Sequence, residues 1–293
     1  MEHQLWLEIL AVLATLGKSR LHWREEFSAE DIVKTWFWAV LHDRPVSWAC
    51  QRRNWPVHER RYRRPSSSTM SRRLRSPEVH HLLDQIEQSV LLPLAGKSLV
   101  WMIDGKPLMI SGCSKDRQAG YGRAAGGKAK GYKLHAVMDL DGAVAAWRVA
   151  PMNKDERVMA RRLLRDAALQ GYVLADSNYD SNELHELCVQ RGNLQLVVPP
   201  RYGLGRSRGH RRQSAGRLRS IELLANPQSS FGSELHERRV AIEQYYGRLS
   251  NWGGGLTHLP AWIRTHRRVH RWVQAKLILT ALRRGIGERT YVA

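Results

Sequence analysis

Two short apolar runs that each end in an aspartate constrain this chain more than any other feature: Leu99-Val-Trp-Met-Ile-Asp104 and Tyr172-Val-Leu-Ala-Asp176. A run of that length reads as a strand buried on both faces, and its last residue emerges at the edge of the sheet. Ligands of open α/β sheets gather at such strand ends. A later helical stretch, Arg239-Val-Ala-Ile-Glu243, adds a third carboxylate. Together the three are hard oxygen donors of the kind that hold divalent cations against phosphate groups.

Each carboxylate has a structural alternative. Asp104 before Gly105 fits a turn, and Asp176 before Ser177-Asn178 fits a helix cap. Glu243 stands four residues after Arg239, the spacing of a surface ion pair. Asp139, Asp141, Asp155 and Asp180 read as turn or capping residues, with Asp180 also placed to orient the site.

Charge says what kind of partner such a site meets. Lys and Arg number 47 against 27 Asp and Glu, for a net charge of +20. An excess spread along the whole chain points to a polyanion, and nucleic acid is the commonest one. The three cysteines, Cys50, Cys113 and Cys188, are far apart and form no metal-binding or disulfide pattern. None of the 13 histidines falls in a metalloprotease spacing. The apolar run Leu5 to Leu16 is too short to span a bilayer and carries Glu8. It reads as an amphipathic helix, and the protein is expected to be cytoplasmic, with no membrane partner.

The first ninety-odd residues have helical periodicity. Ser28-Ala-Glu-Asp31 has the form of a capping box before Ile32, Val33, Trp36, Phe37, Val40 and Leu41. Further short helices are expected from Val46 to about Asn54 and from Ser66 or Ser68, a pattern that fits a helix-turn-helix bundle. Arg72, Arg73 and Arg75 are expected on the outward side of the last of these, facing DNA.

From Ser98 the pattern changes to strands. After the run ending at Asp104 come Pro107 to Ile110, a Gly- and Lys-rich loop from Ser111 to Gly131, then Tyr132 to Met138, the turn Asp141-Gly142 and Ala143 to Val149. A helix with Val158, Leu163, Leu164, Ala167 and Ala168 inward leads to the strand ending at Asp176. A helix from about Asn182 to Arg191 and a strand Leu194 to Val198 come next. A meander followed by alternating strands and helices implies a mixed α/β sheet covered by helices.

This order of elements, with the motifs Ile103-Asp104-Gly105, Gly131-Tyr-Lys-Leu-His135, Leu174-Ala-Asp176-x-x-Tyr179-Asp180-Ser181 and Arg239-x-x-x-Glu243-x-Tyr-Tyr-Gly-Arg248-Leu249, resembles the ribonuclease H-like fold of DDE transposases of bacterial insertion sequences. The likeness runs from about Val100 to Trp262. It implies an α/β catalytic domain with a ribonuclease H-like mixed sheet, preceded by an all-α DNA-binding region. Two features depart from the family pattern: His236 stands where a Tyr is usual, and Arg248 and Ser250 stand near the basic position after the Glu.

The resemblance implies that Asp104, Asp176 and Glu243 are catalytic and bind metal, with two Mg²⁺ ions for which Mn²⁺ can substitute. It implies cleavage at the element's ends and strand transfer into target DNA, by a homodimer or larger assembly on double-stranded DNA. Arg72, Arg73, Arg75, Lys106, Lys133, His135, Arg239, Arg248 and Trp252 are the expected DNA contacts; of the residues lining the first strands, solubility explains Lys106, Lys128, Lys130, Lys133 and His135 about as often. Two other functions fit the same residues: a catalytically silent DNA-binding repressor or decayed copy, and a plain ribonuclease H-like nuclease. The expected division is a helical region over 1–92, the catalytic domain over 93–263 with a basic loop insertion at 200–233, and a basic C-terminal helix over 264–293 packed on the core. Gly203-Leu-Gly-Arg-Ser-Arg-Gly209 has the wrong spacing for a dinucleotide-binding loop.

Overall fold

In the computed structural model, residues 2–16, 25–95, 98–201, 213–252, 255–256 and 258–292 are described. The glycine-rich stretch at 203–209 and two of the glycines after Trp252 lie outside these residues. The chain forms two compact units, one of residues 1–93, 249–263 and 271–293, the other of 94–248 and 264–270. Among the described residues, no helix is long and apolar enough to cross a membrane.

The first unit is helical: α1 (Glu2–Thr15), α2 (Ala29–Leu41), α3 (Val46–Ala49), α4 (Ser67–Arg73) and α5 (Pro77–Ala95). The capping box at α2 forms as its sequence predicts: the Asp31 N–H donates to the Ser28 hydroxyl at 3.1 Å and the Ser28 N–H donates to the Asp31 carboxylate at 3.0 Å. Ser66 caps α4 with one half of that pattern, its hydroxyl accepting from the Thr69 N–H. Trp6, Trp38 and Trp55 form the aromatic centre, with Trp38 and Trp55 stacked at 4.9 Å.

The C-terminal helix divides between the two units. Its residues from Arg271 onward cluster with the N-terminal helices, through Trp272 against Trp36 and through Gln274 donating to Asp84 and Glu87. Lys276 is fully buried there, and its ammonium donates to the Val40 carbonyl and to Asp43.

The second unit is built on a six-stranded sheet: β1 (Val100–Met109), β2 (Gly120–Ala124), β3 (Gly127–Asp139), β4 (Val144–Pro151), β5 (Gly171–Leu174) and β6 (Leu194–Val197). The central order is β4-β3-β1-β5-β6, with β1, β5 and β6 parallel and β3 antiparallel to β1 and β4. Helices α6 (Glu156–Asp166), α7 (Asn182–Gln190), α8 (Ala215–Ala225), α9 (Phe231–Glu237) and α10 (Val240–Ser250) accompany it, and α11 (His266–Val292) closes the chain. Trp101, Ile103, Val137, Val173 and Ala175 pack against Ala160, Leu163 and Leu164 of α6 and Leu184 and Cys188 of α7. This is the ribonuclease H-like mixed sheet flanked by helices.

Three local expectations change. The Gly- and Lys-rich stretch between Ser111 and Gly131 contains a strand, β2, because glycine lets it lie against neighbouring backbone: a Cβ on Gly122 would meet the Met152 carbonyl at 2.4 Å. Residues 200–233 are more than a loop, since α8 forms there and seats Gly216 against Val189 and the His185 carbonyl of α7. Val158 is 39% exposed, and α6 instead turns Met159 and Ala160 inward with Leu163 and Leu164.

Candidate active site at the ends of β1 and β5

Parallel pairing of β1 with β5 runs Val100↔Tyr172, Trp101↔Val173 and Met102↔Leu174, and stops there. Asp104 and Asp176 each stand two residues past the last rung, so they occupy equivalent positions on neighbouring parallel strands. Side chains alternate along a strand, so both carboxylates stand on the face opposite Ile103 and Ala175, which belong to the core. Asp104 is not the end of its strand, however. β1 continues to Met109, with Asp104↔Ala136 as an ordinary rung to β3. Only its β5 neighbour has ended, which opens the sheet on that side.

The two carboxylates feel each other. Burial, then the charges of Asp176 and Glu156, push the Asp104 carboxyl above its ordinary range, against the opposing pull of the Gly105 N–H and Arg239. The Gly105 N–H donates to Asp104 Oδ1 at 2.7 Å. The Tyr246 hydroxyl on α10 donates to the Asp104 carbonyl at 2.9 Å and so ties the helix carrying Glu243 to the strand carrying Asp104. Asp176 caps the short turn Ser177–Tyr179, accepting from the Asn178 N–H at 2.9 Å and its side-chain amide at 3.1 Å.

Glu243 joins through a cation. Arg239 donates to Glu243 Oε1 at 3.1 Å while also acting on Asp104, and the Glu243 side chain is 59% exposed. Among the described residues no three His, Cys, Asp or Glu side chains are gathered closely enough to enclose a metal ion as they stand. The donor chemistry nonetheless fits a hard divalent cation. Burial first, and then neighbouring carboxylates, raise Asp104, and the Tyr179 hydroxyl is buried with no hydrogen-bond partner among the described residues.

A rigid frame surrounds this site. Asp180, at the end of the Asp176 turn, accepts two bonds at 2.8 Å from the Arg217 guanidinium and one at 3.0 Å from the Arg201 N–H, with His185 at 3.6 Å. Burial alone would raise Asp180; these donors overcome it and hold its carboxyl far below the ordinary range. His236 on α9 contacts the Ala175 carbonyl at 3.1 Å, one residue before Asp176.

Residues 96–278, more than half the chain, match the family described as the transposase DDE domain. The chain belongs to that family. No curated protein matches the sequence.

Of the expected DNA contacts of this DDE-domain chain, Arg72, Arg75 and Arg248 are exposed. Arg73 is not: it is buried at 7% exposure and paired with Glu25 and, at 3.5 Å, Glu78, because it falls on the inward side of α4 beside Met70. His135 is 1% exposed, in the middle of β3 between its rungs to Gly105 and Arg148, and burial lowers its pKa to about 4. It has no solvent face to offer DNA. Lys133 is also enclosed, with its ammonium on Glu156 at 2.5 Å. Lys106 is half-buried, 5.8 Å from the Tyr246 ring. The Trp252 ring is partly exposed and lies under the Arg283 guanidinium.

Sequence reasoning did not assign Glu156, Tyr179 or Tyr246 to the site. Both tyrosines stand inside the family motifs, three positions after Asp176 and Glu243 respectively. Glu156 comes directly after the Asp155 cap of α6, where an acidic residue looks like an ordinary complement to the helix dipole.

Proposed function

We propose that this transposase-family chain cuts DNA at the ends of its element and joins the freed ends to target DNA, with Asp104, Asp176 and Glu243 as the metal-holding carboxylates. The observation that carries the reading is the equivalent placement of Asp104 and Asp176 two residues beyond the last β1–β5 rung, in a chain of the DDE family. Two Mg²⁺ ions, or Mn²⁺ in their place, would be held by these carboxylates and would supply stabilisation of charge on the attacking and leaving oxygens. The chain's own residues do the rest. Gly105 and Asn178 fix the two aspartates through N–H bonds, and Tyr246 fixes α10 against β1. Arg239 and Arg248 flank Glu243 and suit backbone phosphates. In the first step water attacks phosphorus and the 3′ oxygen leaves; in the second the freed 3′-hydroxyl attacks a target phosphodiester, and the target's own 3′ oxygen leaves.

The test is cleavage of a supercoiled plasmid bearing the element's ends, with Mg²⁺, Mn²⁺ or EDTA, by the wild type and Asp176→Asn. Metal-dependent nicking at the ends that the variant lacks is the expected result, and joined products would demonstrate transfer. A second reading, a DNA-binding protein with a silent site, is favoured by the pairing of Glu243 with Arg239. Tight binding of the ends with no cleavage under any metal would support it. Nicking without end preference would mark a plain nuclease.

A further inference from the structure

Past the rung Met102↔Leu174, β1 and β5 no longer satisfy each other's main-chain groups, and those groups need other partners. Two side chains of the helical segment that carries Glu243 reach this region. The His236 ring on α9 meets the Ala175 carbonyl at 3.1 Å, and the Tyr246 hydroxyl on α10 donates to the Asp104 carbonyl at 2.9 Å. A carbonyl only accepts, so His236 Nε2 carries the proton in its bond. One bond falls at Asp104 itself and the other one residue before Asp176, so α9 and α10 bridge the place where the two strands part.

Between these two points the segment is stiff. Backbone bonds run through the junction of the helices: the Arg239 N–H donates to the His236 carbonyl at 3.0 Å and the Ile242 N–H to the Arg239 carbonyl at 3.1 Å. Ile242 is fully buried, and Tyr245 lies on the β3–β4 turn, where a Cβ on Gly142 (φ +86°) would come within 2.5 Å of its ring. Phe231, at the start of α9, meets Tyr172 of β5 edge-on at 5.7 Å.

Glu243 itself has a looser hold. Its side chain is 59% exposed and bonds to Arg239 of the same segment, a contact that moves with the segment and fixes nothing relative to the strands. Tyr246 follows Glu243 by three positions, so the two are neighbours on one face of α10. We propose that His236 and Tyr246 are positioning residues for Glu243: their two bonds seat its helix on the parted strands and so set how far the third carboxylate stands from Asp104 and Asp176. This rests on the carboxylate reading under the proposed function. It also gives a role to His236, the residue that departs from the family pattern.

Binding of Mn²⁺ alone, followed by the loss of free-ion EPR signal, tests the idea without any catalytic step. The full chain is compared with Tyr246→Phe, which removes one oxygen and keeps the ring, with His236→Leu, and with His236→Gln, whose side-chain amide can still donate. Tyr246→Phe and His236→Leu are each expected to weaken Mn²⁺ by about tenfold, the scale on which residues behind a metal ligand act, while His236→Gln stays near the wild type. The deciding comparison repeats Tyr246→Phe and His236→Leu in a Glu243→Gln background, where they should cost nothing further, because their effect passes through Glu243. A merely structural role would weaken binding equally in both backgrounds, and that result would overturn the proposal. So would wild-type affinity in Tyr246→Phe and His236→Leu with weakened binding in Glu243→Gln, which leaves the proposed active site standing. If Glu243→Gln and Asp104→Asn both bind Mn²⁺ as the wild type does, the underlying carboxylate reading fails and the positioning role falls with it.

Discussion

Among single residues, Asp104 is held against its ordinary titration. Its carboxyl is buried beside Asp176 and Glu156 and is held above the ordinary carboxylate range. Between that ordinary value and the raised one, the folded chain binds more protons than the unfolded chain, so stability falls as pH rises through the window. Ionised Asp104 therefore costs stability at neutral pH. Asp104→Asn keeps an acceptor for the Gly105 N–H and removes the charge, and it is expected to melt higher than the wild type at pH 7 in EDTA, with the difference vanishing below the ordinary carboxylate range. An unchanged or lower melting temperature at pH 7 would contradict this electrostatic account. Asp104 and Asp176 were legible in the sequence because an apolar run that stops at a carboxylate is visible without coordinates. The charge of Glu156 on Asp104 was not, because Asp155-Glu156 reads as an ordinary acidic helix start. Arg73 and His135 show the opposite failure: basic residues in a basic chain read as surface, and only their packing shows them enclosed.

Among the helices and strands, the Asp176 turn is held by the segment C-terminal to it. Asp180 ends the turn and anchors α8 through Arg217, while its second oxygen also takes the Arg201 N–H, on the near side of the basic segment that leads to that helix. Asp180→Ala would leave the Arg217 guanidinium nearly buried without its counter-charge, a loss on the order of 3 kcal/mol. Chemical denaturation measures it, and Asp180→Asn should lose most of the same amount. Because the folded carboxyl is depressed, its contribution is complete above the ordinary carboxylate range and declines only as pH falls below it. A variant as stable as the wild type at pH 7 would show that the clamp is dispensable. The meander, α6, α7 and β6 followed from periodicity and turn residues. β2 and α8 did not, because glycine and arginine there hide the pattern: β2 needs glycine for close approach, and α8 packs through Gly216 and Arg217 instead of through an apolar stripe. Likewise the apolar side of α11 announced a packed helix without saying that Trp272 would meet Trp36 of the helical unit.

Over the chain in its entirety, the net charge of +20 suits a polyanionic partner, which under the proposed function is DNA. Affinity for any duplex is expected to fall by about 10³ or more between about 50 and 200 mM salt, through release of condensed counterions. Removing Arg72 and Arg75 together should lower the slope of log affinity against log salt by about 1 for each phosphate no longer neutralised. Fluorescence anisotropy across a salt series reads both, and salt-independent binding would contradict the polyanion reading. Charge carries no information about cutting, which in the proposed mechanism depends on a few carboxylate oxygens just beyond the β1–β5 pairing.

The sharpest test of the metal-dependent mechanism exchanges one of those oxygens for sulfur. Asp176→Cys offers a softer ligand that suits Mn²⁺ better than Mg²⁺. If Asp176 holds the metal that supports cleavage, the variant will not nick end-bearing plasmid in Mg²⁺ and will regain activity in Mn²⁺, whereas the wild type works with both. Equal nicking by the variant in the two metals, or nicking in EDTA by either protein, would contradict a metal held by Asp176.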